Sequence, residues 1–143
     1  MRLIYGMILG LVLVQNIAIA DENPQKKHKV VIQINSDDPA LHQMALGNAL
    51  NMQKAWGMDN VDIEIVMFNK GLSLAAGESP ESKRLPNLML QNISFSMCKN
   101  TIDRATTQNN GIAPKLEEGV KVVPAGVVRI VELQEQGYSY LRP

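Results

Sequence analysis

Cysteine occurs once in the 143 residues, at Cys98. A single thiol excludes an internal disulfide and any zinc site built from cysteines. Aromatic residues make up 4% of the chain, too few for a surface on which bases stack. Neither sign of charge is in excess: fourteen Lys and Arg offset fourteen Asp and Glu, and the pI is near 6.7. Without a basic stripe to neutralise a phosphate backbone, no nucleic-acid partner is expected. The two histidines, His28 and His42, have no cysteine or second histidine at ligand spacing, so no metal site is expected. The methionines are scattered rather than clustered as copper would require, and Met44, Met52 and Met58 suit packing along or at the end of a helix. No GxSxG, Walker or GxGxxG pattern occurs, and no cofactor is expected.

What is present is a globular composition, 45% hydrophobic and 20% charged, with length for one domain. The first twenty residues stand apart. Arg2 is the sole charge before Asp21, the run between them is apolar except at Gln15 and Asn16, and it ends in Ala18-Ile19-Ala20. That small-x-small ending is what a signal peptidase accepts, so residues 1–20 are expected to be a cleaved signal peptide and the protein periplasmic or secreted, with no membrane contact after cleavage. The alternative is an uncleaved leader anchoring the chain, since eighteen residues sit at the lower edge of a spanning length. Residues 21–29, polar and carrying Pro24, read as a flexible lead-in to a single domain over 30–143.

Within that domain strand and helix patterns alternate. Residues 30–35 are a short β-branched run, apolar on both sides of the pleat, as in a strand covered on both faces. Asp38-Pro39 is an N-cap followed by a proline at the first helical position. Leu41, Ala45, Ala49, Met52 and Trp56 recur at helical spacing, with Met44 alongside, up to a stop at Gly57. A strand follows over 61–68, where Asp62 and Glu64 alternate with apolar residues and put its start near an edge or mouth of the sheet. Asn69-Lys70-Gly71 turns the chain. Ser79-Pro80 opens a helix towards Leu90 that Pro86 should kink or restart. A strand over 93–97 ends at Cys98; Asn100 or Thr101 caps a helix to about Thr107. A strand over 120–123, a helix over 127–136 and a strand over 138–141 complete the pattern. The alternation predicts a three-layer α/β/α sandwich with a mainly parallel five-stranded sheet and right-handed crossovers. Strand order is not readable from it.

In open sheets of this class, ligands bind outside the carboxyl ends of the strands. Those ends offer Asn35 to Asp38, Asn69 to Gly71, Cys98 to Asn100 and Pro124 to Gly126, with Asn35, Ser36, Asp37, Gly71, Cys98, Lys99 and Asn100 as the candidate crevice residues. Cys98 is the most reactive of them. Immediately before a helix it meets unpaired N–H groups and the positive end of the helix dipole, and Lys99 adds a cation, all of which favour the thiolate. The opposing reading is a small hydrophobe packed inertly at a strand end. Asp37 and Asp38 are explained by turn and cap chemistry. Arg129 and Glu132, three apart on the last helix, read as a surface pair worth little.

Four segments resemble a known family: VVIQINSDDPALHQMALGNALNMQKAWG at 30–57, VDIEIVMFNKGLSL at 61–74, NISFSMCKNT at 92–101 and GVKVVPAGVVRIVELQEQGYSYLRP at 119–143. Together they are similar to the DsrE/DsrF-like (YchN-like) family, particularly its small exported members. The resemblance implies a compact α/β/α domain assembling as a homo-oligomer, a trimer or hexamer. It also implies sulfur handling, since cytoplasmic members pass persulfide sulfur along a relay through a cysteine at the end of a central strand, where Cys98 stands. The expected function is therefore an exported sulfur carrier or sulfurtransferase-like protein taking sulfane sulfur on Cys98 from a donor and giving it to an acceptor. The alternative is a non-enzymatic oligomeric module that binds a small ligand or protein and uses the cysteine only for packing.

Overall fold

Strands that are apolar on both sides of the pleat need cover on both faces, and the architecture supplies it. The computed structural model describes residues 27–143; the leader, and the lead-in up to residue 26, lie outside that range. Its elements are β1 (His28–Ile34), α1 (Pro39–Trp56), β2 (Val61–Met67), α2 (Leu72–Ala75), α3 (Leu85–Met89), β3 (Ile93–Cys98), α4 (Lys99–Gln108), β4 (Lys121–Val123), α5 (Gly126–Glu135) and β5 (Ser139–Leu141). The five strands form one sheet in the order β4-β3-β2-β1-β5, and every pairing is parallel. Among the described residues no helix is long and apolar enough to cross a membrane.

Alternate residues of each strand feed two separate cores. Val30, Ile32 and Ile34 of β1, Ile63, Ile65 and Met67 of β2, and Phe95 and Met97 of β3 pack with Ala45, Leu46 and Ala49 of α1, Leu74 of α2 and Leu85 and Leu88 of α3. Ile102 of α4 leans on the same cluster. Val31 and Val66 point the other way, onto Ile130 and Leu133 of α5. The topology explains this division. From β1 to β4 the chain steps along the sheet in one direction; after β4 it returns across the sheet to β5, beyond β1. With right-handed crossovers, the reversed step puts its helix on the opposite face.

The local chemistry of α1 is as expected at both ends. The Asp38 carboxylate accepts from the Ala40 N–H at 2.9 Å with Pro39 next to it, and Gly57 closes the helix at a φ of 90°. The restart at Pro86 is also present, as a 3-10 turn over Pro80–Arg84 passing into α3.

Several expectations are corrected. His28 does not lie in a flexible lead-in: β1 begins there, and its ring stacks on Trp56 with centroids 4.0 Å apart. The buried side of α1 is His42, Ala45, Leu46, Ala49 and Gln53, rotated from the apolar series, while Met44 and Trp56 are exposed, as is Met58 beyond the helix. Polar residues occupy that inner side because each finds a partner. His42 bonds Ser79 Oγ through Nδ1 and the Ser36 carbonyl through Nε2, both at 2.8 Å, and Gln53 donates to the Gln91 carbonyl. A short helix, α2, follows the turn at Asn69-Lys70-Gly71, where no helix was expected. Finally, β2 is the central strand, so of the two places expected for its start the edge is wrong and the mouth is right: Asp62 lines the cavity at the amino ends of the strands.

Candidate functional site

A parallel sheet opens a crevice where neighbouring strands send their connections to opposite faces. Here β3 leads into α4 on the face of the larger core, while its neighbour β4 leads into α5 on the other face. The switch point therefore lies outside the carboxyl ends of β3 and β4. Cys98 is the last residue of β3, in register with Val123, the last residue of β4. It is also the N-cap residue of α4, the place expected for Asn100 or Thr101.

A second helix start faces the same sulfur. Gly126, the first residue of α5, is buried so close that a Cβ on it would stand 3.3 Å from the Cys98 Cβ and 3.2 Å from the Phe68 Cβ. A side chain there would press on both neighbours by a few tenths of an ångström. Cys98 is 6% exposed, and burial pushes its thiol pKa up. The backbone N–H groups of Gly126, Thr101 and Asn100 and the Thr101 hydroxyl outweigh that penalty, and the net shift is below the ordinary thiol value. Thr101 is suitably oriented because its Oγ1 accepts from the Asn69 N–H at 2.9 Å, which leaves the hydroxyl proton free. The sulfur makes no regular capping hydrogen bond, so the amides act as converging dipoles.

Two residues back along β3, on the same side of the pleat, Ser96 donates to Glu64 Oε1 at 2.7 Å. Arg129 forks onto the same carboxylate, Nε to Oε1 at 2.8 Å and a terminal nitrogen to Oε2 at 2.7 Å. Burial pushes the Glu64 pKa up, but Arg129, Ser96 and the more distant Lys121 charge outweigh it and hold the carboxyl below its ordinary value. The expected surface pair is corrected by this: Glu132 stands 3.9 Å from Arg129, whose main partner is Glu64. The sequence signal for the pair was Glu64, the inner of the two acidic residues in β2, which calls for a buried cation once the strand is central.

The other crevice residues are placed as follows. Lys99 Nζ binds both Asp103 carboxylate oxygens at 2.7 Å, so its charge is engaged along α4 rather than at the sulfur. Asn100 is exposed and acts on Cys98 through its backbone N–H. Asp37 pairs with Lys70 at 3.3 Å, tying the end of β1 to the turn after β2. Gly71 is buried, and a Cβ there would collide with the Ile34 carbonyl oxygen, so it serves close packing. Asn35 and Ser36 line a separate cavity of about 190 Å³ with Leu41 and Arg142. A cavity of about 300 Å³ lies beside the switch point, lined by Val123, Pro124, Ala125, Val128, Arg129 and Glu132. A larger one, about 580 Å³, is at the opposite, amino ends of the strands, between Lys27, Asp62, Ser94 and Lys121. Among the described residues no group of three or more His, Cys, Asp or Glu is placed to hold a metal ion.

Fold and site together define a class: a three-layer α/β/α protein with a cysteine at the switch point of a parallel sheet. The chain belongs to the DsrE/DsrF-like family, whose model matches residues 28–143. It is similar to MTH1491 from Methanobacterium thermoautotrophicum, a protein of unknown function, at 30% identity over 82% of this chain and 100% of that one, with a TM-score of 0.72. It shares the fold of the ychN protein from E. coli, at 15% identity over 82% and 99% of the two chains and a TM-score of 0.61. BT1422 from Bacteroides thetaiotaomicron has the same fold, at 18% identity over 80% and 94% of the chains and a TM-score of 0.59. No curated protein matches the chain.

Proposed function

We propose that this protein carries sulfane sulfur on Cys98. The observation that supports the reading best is the convergence of two helix starts on one cysteine at the switch point, where they favour the thiolate. Membership of a family related to sulfur relay points the same way. The step balances without an external oxidant or reductant. The Cys98 thiolate attacks the outer sulfur of a donor hydropersulfide; the new S–S bond forms at Sγ as the donor's S–S bond breaks, and the donor thiolate leaves with the electron pair. Delivery to an acceptor thiolate is the same exchange in reverse. An exposure of 6% favours small donors over a bulky disulfide-linked protein.

Two further parts of the reading rest on the sequence. The protein is exported with residues 1–20 removed, and it works as a homo-oligomer. The exposed Val127, Val128 and Val131 on α5 support the second part, since they form an apolar stripe on the side of the helix facing away from its own sheet.

Intact mass spectrometry tests the sulfur and export parts of the proposal. Protein from the exported fraction, incubated with a hydropersulfide donor, is expected to begin at Asp21 and to gain sulfur that reductant removes, and the Cys98→Ser variant is expected to gain none. A thiol that ignores the donor would overturn sulfur transfer and leave the alternative, a binding module with a packing cysteine.

A further inference from the structure

We propose that Glu64, acting through Arg129, holds the amino end of α5 against the Cys98 sulfur, which makes this carboxylate and guanidinium positioning residues for the thiolate chemistry. The inference rests on the reading of Cys98 as the working thiol. It is argued from what else could hold that end of the helix. The buried apolar side chains of α5 are Ile130 and Leu133, both past its first turn, whereas Val127 and Val128 point outward. The first turn is fixed by Gly126, which has no side chain to pack, and by Arg129, one turn later. Arg129 is bound in bidentate fashion, a geometry that fixes the rotation of the helix as well as its distance from the sheet.

The anchor itself is rigid. Glu64 is 7% exposed, stands on the central strand, and is braced by Ser96 of the strand that ends in Cys98. The sulfur and the serine that braces the anchor are thus two residues apart on one strand, and the helix bridges sulfur and carboxylate: its first N–H group meets the sulfur and its fourth residue meets the carboxylate. A buried ion pair is weak evidence for stability, because an apolar pair of similar volume often serves as well. Directional placement is something an apolar pair would not provide. The charged groups facing Glu64 are Arg129 on α5 and Lys121 on β4, with Tyr138 beyond α5 under the influence of the same carboxylate. At Cys98, the adjacent Lys99 is held by Asp103.

The test is the pH dependence of Cys98 alkylation by iodoacetamide in the full chain. Glu64→Gln and Arg129→Met are each expected to move the midpoint upward and slow alkylation at neutral pH by about tenfold, the effect of one unit in the thiol pKa. Arg129→Lys is expected to recover part of the loss. Leu46→Ala, in α1 on the other face, should lower the unfolding midpoint yet leave the titration where it is. Destabilised Glu64 and Arg129 variants with an unmoved titration would overturn the proposal. If those variants do not fold, Gly126→Ala decides, since its methyl displaces the same helix start without touching the ion pair; an unmoved midpoint there also overturns it. Sulfur uptake is read separately. Uptake by the unsubstituted protein with unmoved variants sinks the positioning role alone, whereas shifted variants without uptake sink the sulfur reading alone.

Discussion

Glu64 and His42 are polar residues buried for different reasons. His42 is held between a carbonyl and a hydroxyl: Nε2–H donates to Ser36, and Nδ1 accepts from Ser79. These bonds tie α1 to the segments at Ser36 and Ser79. Glu64 is ionised and paired, with a pKa pulled below the ordinary carboxylate value by Arg129 and Ser96 against the cost of burial. A depressed folded-state pKa contributes stability that is complete above the unfolded value, about 4.3, and is lost as the pH falls through the folded one. Glu64→Gln is therefore expected to destabilise the protein by about 1–3 kcal/mol at neutral pH, as hydrogen bonds to a charged group do. The deficit should shrink as the pH falls below the unfolded value, because the native carboxylate then also takes up its proton. Urea unfolding of both proteins across that range checks this; a constant deficit would contradict it. Cys98 was readable as a candidate from its place before a helix. Its stabilisers were legible in part: the N–H groups at the start of α4 follow from that place, and Gly126 stood among the strand ends. That Gly126 meets the sulfur depends on strand order, however, and Lys99, close in sequence, turns to Asp103.

The helices differ sharply in what secures them. Among the described residues, eighteen buried side chains make up the core shared by α1 to α3, and four make up the core under α5. Local opening follows the amount of buried apolar contact, so α5 should open before α1. Amide hydrogen exchange is expected to be faster in residues 127–135 than in residues 42–53, and Leu133→Ala should widen the gap while costing about 2–5 kcal/mol. Equal protection of the two helices would argue against this order. The elements themselves were legible where caps and periodicity agreed, as at Asp38-Pro39 and Pro86. The face of α1 was not, because hydrophobic spacing favoured Met44 and Trp56 while tertiary partners for His42 and Gln53 decided the outcome. Likewise α2, at four residues, is too short for a periodic signal.

Strand order is the quantity that converts these elements into a site, and alternation alone does not encode it. A parallel order of β4-β3-β2-β1-β5 puts the one reversal of direction between β3 and β4, and hence the crevice at Cys98. The same reversal leaves one sheet face to α5 alone, and α5 is apolar on both sides: Ile130 and Leu133 turn inward, and Val127, Val128 and Val131 turn outward at about half exposure. An isolated helix over a small core gains nothing from three outward valines in water, but a second copy docked on them would bury them and brace the helix. Self-association through α5 would then protect the thiol environment as well as the fold, because Val127 follows Gly126 directly. Replacing Val128 and Val131 together by Asp is expected to shift the species measured by light scattering to monomer, and to bring α5 exchange closer to that of a freely opening segment. Retention of the assembly in that variant would place the contact on another surface and leave the valines unexplained.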